Sequence, residues 1–343
     1  MNKNVMSFLK NYLLESDTPC LYYNLDKIKE DFKYFNANKN ENIKLLFPVK
    51  SFSHKFFLDE ISEYLDGFDI SNNTEYESIE SYNKEYISCS SPFICEEINE
   101  KVIHDVNSED QKPHKKYYIR LNLNESSRFG IDLNSITKEL LVGSKGIHFH
   151  NQKWGEDAFE KIRGIIKHFE DNFELEENFH FNIGGGYNHI SQNELLGELN
   201  KLAKEKSKYI FFIEPGRMFI KNNGYLIGKV LEVQNIESIK ETRVLTNISH
   251  TCHLRWELQG SGINFYSLLA KGKENKYKSI SIGGSTVYEH DKICSLEIEN
   301  KIYVNDFMCI NMISGYGMSW NSTFNGIDKA NLKYKLNNKI ILY

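Results

Sequence analysis

Paired cysteines, excess positive charge and long apolar runs are all missing from this 343-residue chain. Its cysteines (Cys20, Cys89, Cys95, Cys252, Cys294 and Cys309) form no Cys-x-x-Cys pair and are spread through the sequence. That pattern speaks for reduced cytosolic thiols and against a disulfide framework or a zinc site. A net charge of −5 and a pI of about 6.2 leave no basic footprint for a phosphate backbone, so a small or medium-sized substrate fits better than a nucleic acid. No segment approaches the length of a membrane span, and the first ten residues lack an apolar run with a small-residue cleavage site. The expectation is a soluble, cytoplasmic protein with no membrane partner.

What is present is a 40% apolar chain long enough for one large α/β barrel and a smaller domain. Short apolar or β-branched runs recur at 44–49, 67–71, 86–90, 102–106, 116–123, 146–150, 179–183 and 209–213. Stretches with helical spacing, such as 156–170 and 193–206, lie between them. Strand and helix alternating in this way predict a (β/α)8 barrel. From about residue 224 the texture becomes alternating strands with few helical windows. The expected division is a barrel over 18–223 and a β domain built from 1–17 with 224–343.

Two strand ends carry glycine-bearing loops, Ile183-Gly-Gly-Gly-Tyr187 and Ile213-Glu-Pro-Gly-Arg217. Backbone N–H groups in such loops can close around a phosphate at the mouth of a barrel. Lys50 ends the first run and would project from that mouth, where a lysine can form a Schiff base with an aldehyde cofactor. Gly146-Ile-His-Phe-His150 brings an imidazole to the same end. Glu214 follows the apolar run Tyr209-Ile-Phe-Phe-Ile, and a carboxylate so placed needs a partner, for which a pyridinium nitrogen would serve.

Read in order, the segments Pro48-Val-Lys-Ser-Phe, Gly67-Phe-Asp-Ile-Ser with Glu75, Ser127-Arg-Phe-Gly-Ile, Gly146-Ile-His-Phe-His, Ile183-Gly-Gly-Gly, Glu214-Pro-Gly-Arg, and Gly315-Tyr-Gly with Phe324-Asn-Gly resemble a known family. It is the fold type III pyridoxal-phosphate decarboxylases, acting on ornithine, diaminopimelate or carboxynorspermidine. The resemblance runs from Thr18 to Phe324 and implies a barrel of the alanine racemase-like type followed by a β domain. Short loops such as Gly146-Ile-His-Phe-His-Asn-Gln and Ile282-Gly-Gly-Ser-Thr look most like the carboxynorspermidine branch; the arginine of Glu-Pro-Gly-Arg looks more like the other two.

The resemblance implies pyridoxal 5'-phosphate as cofactor and assigns roles by position. Lys50 would bind the cofactor covalently, His150 would stack on its ring, and Glu214 would pair with the ring nitrogen. Gly184, Gly185, Gly186, Arg217 and Tyr316 would hold the phosphate, while Asp69 and Arg120 would flank the cofactor. A carboxylate at the ring nitrogen keeps it protonated, making the electron sink that loss of CO2 requires. Racemases of the related fold use an arginine there, so Glu214 favours decarboxylation. The resemblance also implies a homodimer with shared active sites.

Two departures stand out. The family's acid, a cysteine on a loop of the β domain, aligns with Val287 in Gly283-Gly-Ser-Thr-Val-Tyr-Glu-His-Asp291, although Asp291 is retained. Tyr288, His290, Cys294, His253 or water would have to supply the proton. In Ser249-His-Thr-Cys-His-Leu-Arg-Trp256, Arg255 stands where carboxynorspermidine-like sequences carry an acid, which suits an anionic substrate better than a polyamine. The expected substrate carries a 3-amino-3-carboxypropyl group, held with Asp291, Arg255 and His253, on a polyamine-like body or on a peptide-nucleotide antibiotic of the microcin C type. The end of the chain soon after Phe324-Asn-Gly is compatible with a further domain beyond it. A regulatory homologue without catalysis, or a racemase or lyase of the same fold, is the alternative.

Overall fold

The computed structural model describes residue 8 and residues 17–92, 98–111, 115–124, 127–151, 154–257, 262–266, 278–298 and 301–343. Cys95, Gln152 and most of segment 1–17 lie outside these described residues. The chain divides into two compact units, Lys29–Phe219 and Met1–Ile28 with Ile220–Tyr343.

The first unit is a closed barrel. Its strands are β1 (Ile43–Pro48), β2 (Gly67–Ile70), β3 (Tyr86–Cys89), β4 (Val102–Val106), β5 (Tyr117–Asn122), β6 (Gly146–Phe149), β7 (His180–Asn182) and β8 (Ile210–Ile213). Each pairs in parallel with the next, and β8 returns to β1 to close the ring. All eight strands fall within or beside the strand-length runs of the sequence. Helix Ala158–Asn172 buries Ala158, Phe159, Ile162, Ile165, Ile166 and Phe169, the spacing of one helical face. Helix Gln192–Glu205 opens on a capping box in which Ser191 and Glu194 satisfy each other's backbone N–H groups.

Period-two alternation sorts the strand residues. Ile87, Ile119, Ile147, Phe181 and Phe211 are buried hydrophobic positions. Their neighbours Tyr86, Tyr118, His180 and Phe212 meet across the barrel, with ring centroids of Phe212 at 5.1 Å from Tyr86 and 4.8 Å from His180. The Tyr118 hydroxyl closes this floor on His180 Nδ1 at 3.0 Å. Burial drops the His180 imidazole to about 4, so the floor is neutral. Two residues further along the same strands come Ser88, Arg120, Asn182 and Glu214, a polar layer directly above an aromatic one.

The second unit is a mainly antiparallel sheet domain. Its long strand β9 (Gly224–Ile236) pairs with β14 (Phe307–Asn311) and then, past a bulge at Val230/Glu232, runs with β10 (Glu241–Thr246). The remaining strands are β11 (Ile263–Tyr266), β12 (Lys278–Gly283), β13 (Lys292–Ile298), β15 (Asn331–Leu336) and β16 (Lys339–Leu342). The expected boundary at residue 18 needs correction: strand Cys20–Asn24 pairs with β9 and β15, so it belongs to this sheet and not to the barrel. Cys20 and Tyr22 there pack with Tyr225, Ile227, Phe307 and Cys309 in a buried cluster. Among the described residues, no helix is long and apolar enough to cross a membrane.

Candidate active site

At the barrel mouth Lys50 leaves β1 in the short 3-10 turn Val49–Ser51. Its Nζ donates to Asp69 Oδ2 at 2.7 Å and to Ser90 Oγ at 3.0 Å. The lysine side chain keeps 39% exposure while Asp69 is fully buried, so the amine is reachable from outside but anchored from within. Asp69 Oδ1 receives Ser88 Oγ at 3.2 Å, and the same hydroxyl lies 3.3 Å from Glu214 Oε1. A continuous polar chain therefore runs from Lys50 to Glu214.

Glu214 is buried at the end of β8. Asn182 Nδ2 donates to its Oε1 at 2.7 Å, and His148 Nε2 stands 3.7 Å from its Oε2. Burial pushes its carboxyl up, with the charge of Asp69 adding, against the pull of His148 and Lys50. Asp105 is its opposite. Burial alone would raise it, but His148 Nδ1 at 2.9 Å and Arg120 Nη1 at 3.2 Å outweigh that and hold it below the usual carboxylate range. Arg120 Nη1 also lies within 2.8 Å of both His148 ring nitrogens. Arg120, expected to flank the cofactor, locks the Asp105–His148 pair in this structure.

The glycine loop is shaped for close approach. Gly184 has φ of +62°, and a Cβ on Gly185 would come within 2.4 Å of the Glu214 carbonyl oxygen. Gly184 N–H donates to Asn182 Oδ1 at 3.0 Å and Gly185 N–H to His150 Nδ1 at 3.1 Å. Two of the three amides expected to hold phosphate are therefore already engaged. In this structure those two amides fix Asn182 and His150. Accepting from Gly185 sets the His150 tautomer. Burial, reinforced by Arg120, His148 and Lys50, keeps His150 well below its ordinary range and so neutral. A neutral flat ring at a barrel mouth suits stacking.

In the β domain the expected substrate residues differ from one another. Arg255 is exposed, with its guanidinium 5.5 Å from the Trp320 ring centre, and Trp320 lies 5.5 Å from Trp256. His253 is buried with both ring nitrogens used: Nδ1 accepts from Ser249 N–H at 3.0 Å and Nε2 donates to the Asp328 carbonyl at 2.9 Å. Asp291 is buried, and its carboxylate accepts from Ser249 Oγ, the His250 and Thr251 N–H groups, and the Thr286 N–H and hydroxyl. In this structure Asp291 pins the 284–291 loop to the turn at Ser249–Thr251, and His253 ties that turn to Asp328. Tyr316 is half-buried and opens helix Tyr316–Ser319. Val287 is 87% exposed on that loop, and Tyr288 beside it rests its ring 5.2 Å from His290. Among the groups expected to supply the proton, burial pushes the Cys294 thiol up, both ring nitrogens of His253 are engaged, and Tyr288 is exposed.

Ser88, Asp105, His148 and Asn182 escaped sequence reasoning because each sits inside an apparently apolar strand. Counting back two residues from Gly184 and from His150 gives Asn182 and His148.

The fold defined here is an alanine racemase-like barrel with a C-terminal β domain, the fold of decarboxylases that use pyridoxal 5'-phosphate. The carboxynorspermidine decarboxylase of Campylobacter jejuni, solved with norspermidine, superposes with a TM-score of 0.73 at 20% identity over 95% of this chain and 96% of that one. The Helicobacter pylori diaminopimelate decarboxylase, solved with L-lysine, gives 0.75 at 18% identity over 99% and 95%. In sequence, the chain is 23% identical over 329 residues to the diaminopimelate decarboxylase of Methanocaldococcus jannaschii, covering 85% of this chain and 66% of that relative's length. No family model matches. The residues present fit such a cofactor: a reachable lysine, a buried carboxylate without a full cationic partner, a neutral histidine and a side-chain-free loop meet at one mouth.

Proposed function

We propose that this protein is a pyridoxal-phosphate-dependent amino acid decarboxylase whose substrate carries a 3-amino-3-carboxypropyl group and leaves with an aminopropyl group. The observation that carries the reading is Glu214: a buried carboxylate, raised by its burial, linked through Ser88 and Asp69 to the accessible Lys50. The bound cofactor would supply the electron sink for loss of CO2, and the protein would do the rest. Lys50 holds the cofactor, Glu214 faces its ring nitrogen, His150 covers its ring, and Asp69 and Arg120 fix the flanks. Gly186, Arg217 and Tyr316 take the phosphate. Tyr288 or His290 provides the proton for the product.

The exposed Arg255 on Trp320, beside Trp256, supports an anionic, planar remainder on the substrate, as in a peptide-nucleotide antibiotic of the microcin C type. The active unit is a homodimer in which the loop carrying Val287 serves the barrel of the other copy. Mixing inactive Lys50→Ala with an inactive Tyr288→Phe/His290→Gln variant restores activity through hybrid dimers on this reading, and strictly monomeric active protein would rule the sharing out.

The test is product identification by mass spectrometry with a panel of carboxypropylated polyamine and nucleotide phosphoramidate substrates beside diaminopimelate, lysine and ornithine. A mass loss of CO2 from the carboxypropylated compounds is expected. Turnover of diaminopimelate alone, or racemisation without CO2 release, would overturn the substrate or the reaction respectively.

A further inference from the structure

Ser88 stands between two acids. Its hydroxyl is 3.2 Å from Asp69 Oδ1 and 3.3 Å from Glu214 Oε1, and all three residues are buried. A serine hydroxyl has one proton to give, so it can donate to one carboxylate and bond the other only by accepting. Two ionised acids would leave one of these contacts as lone pair against lone pair, away from water.

The surrounding partners decide which acid carries the proton. Asp69 Oδ2 already accepts from the Lys50 ammonium and the Ser90 hydroxyl, which favours its anion. Glu214 has one amide donor, Asn182, and a histidine too distant for a hydrogen bond at 3.7 Å. The titratable groups facing it are Lys50, Asp69, His148 with Asp105 and Arg120 behind it, and the phenols of Tyr118 and Tyr187. Neither phenol supplies a positive charge, the Lys50 ammonium is held by Asp69, and the closest basic group, the His148 imidazole, stands beyond hydrogen-bond reach with its other nitrogen on Asp105.

We infer that Ser88 is a positioning residue whose hydroxyl donates to Asp69 and accepts from a protonated Glu214, so that the barrel stores a neutral carboxylic acid at the end of β8. Its meaning for the cofactor, that the proton required at the ring nitrogen is already in place, rests on the function proposed above. The hydrogen-bond assignment does not.

The experiment is infrared spectroscopy of the full-length, cofactor-free chain with 13C-labelled glutamate, titrated from acid to alkali. At pH 7 the wild type shows a protonated glutamic acid carbonyl band that shifts with the label and is missing from Glu214→Gln. In Ser88→Ala the band is lost about one pH unit lower, a roughly tenfold weaker hold on the proton. Ser88→Thr, which keeps a hydroxyl, restores the wild-type titration. Absence of the band in wild type at pH 7 overturns the inference even if Ser88→Ala does not fold, and identical titrations of wild type and Ser88→Ala overturn the role of Ser88. A chain that shows the band but never binds pyridoxal phosphate supports the inference and sinks the proposed function.

Discussion

Two buried carboxylates, Glu214 in the barrel and Asp291 in the β domain, teach opposite lessons. Asp291 is surrounded by donors from Ser249, His250, Thr251 and Thr286, so every lone pair has a use inside the fold. Glu214 has Asn182, a shared hydroxyl and a distant imidazole, and burial drives its carboxyl upward. A fully satisfied buried acid stabilises the structure; an under-satisfied one is held in reserve for a ligand.

Exchanging the roles of these acids gives the largest effects. Asp291→Ala strands several buried donors, at about 1–3 kcal/mol for each group left unpaired, and is expected to lower the denaturant midpoint sharply. Glu214→Gln keeps shape and amide contacts while removing a raised acid, so its midpoint at pH 7 should equal or exceed that of wild type. Turnover in that variant should nevertheless fall by about 10²–10³-fold, the cost of losing one preorganised electrostatic partner. A Glu214→Gln variant that is both active and less stable would reverse the comparison.

A pH series sharpens the contrast. Because Glu214 is raised in the folded state, its contribution is complete below the ordinary value of 4.5 and is lost as pH rises through the raised one. His150 and His253 are lowered by burial, so their contributions are complete above 6.5 and fade as pH falls below it. Stability measured against pH should therefore lose its alkaline-side decline in Glu214→Gln and keep its acid-side decline. Unchanged alkaline behaviour would show that Glu214 is not raised.

The smallest effect belongs to the exposed loop. Val287→Cys should leave stability unchanged, since the side chain is 87% exposed, and should raise turnover only if the thiol meets the reacting carbon. Removing both Tyr288 and His290 should cost about 10²–10⁴-fold in turnover if either is the general acid, read by steady-state rates. No loss would assign the proton to water.

Much of this arrangement was legible beforehand. Apolar or β-branched runs of strand length matched all eight barrel strands, and Lys50, His150 and Glu214 were read as lying at the ends of three of them. The partnership of Cys20–Asn24 with 224–227 and 331–335 was not legible, because sheet pairing across the length of the chain leaves no local trace. Nor was the fate of His253 and Asp291, whose chemistry is decided by neighbours that only the folded turn brings near. Ser88 and His148 were concealed for a different reason. Their strands read as apolar, since the outward faces, Ile87 and Cys89, Ile147 and Phe149, dominate a short window.

The most direct test of the central claim is to incubate the full-length protein with pyridoxal 5'-phosphate, reduce it with borohydride, digest it and map the label by mass spectrometry. The account predicts a yellow protein that bleaches on reduction, with a single pyridoxyl-phosphate adduct on the peptide carrying Lys50 and none in Lys50→Ala. Protein that takes no label, or takes it at another lysine, would contradict it.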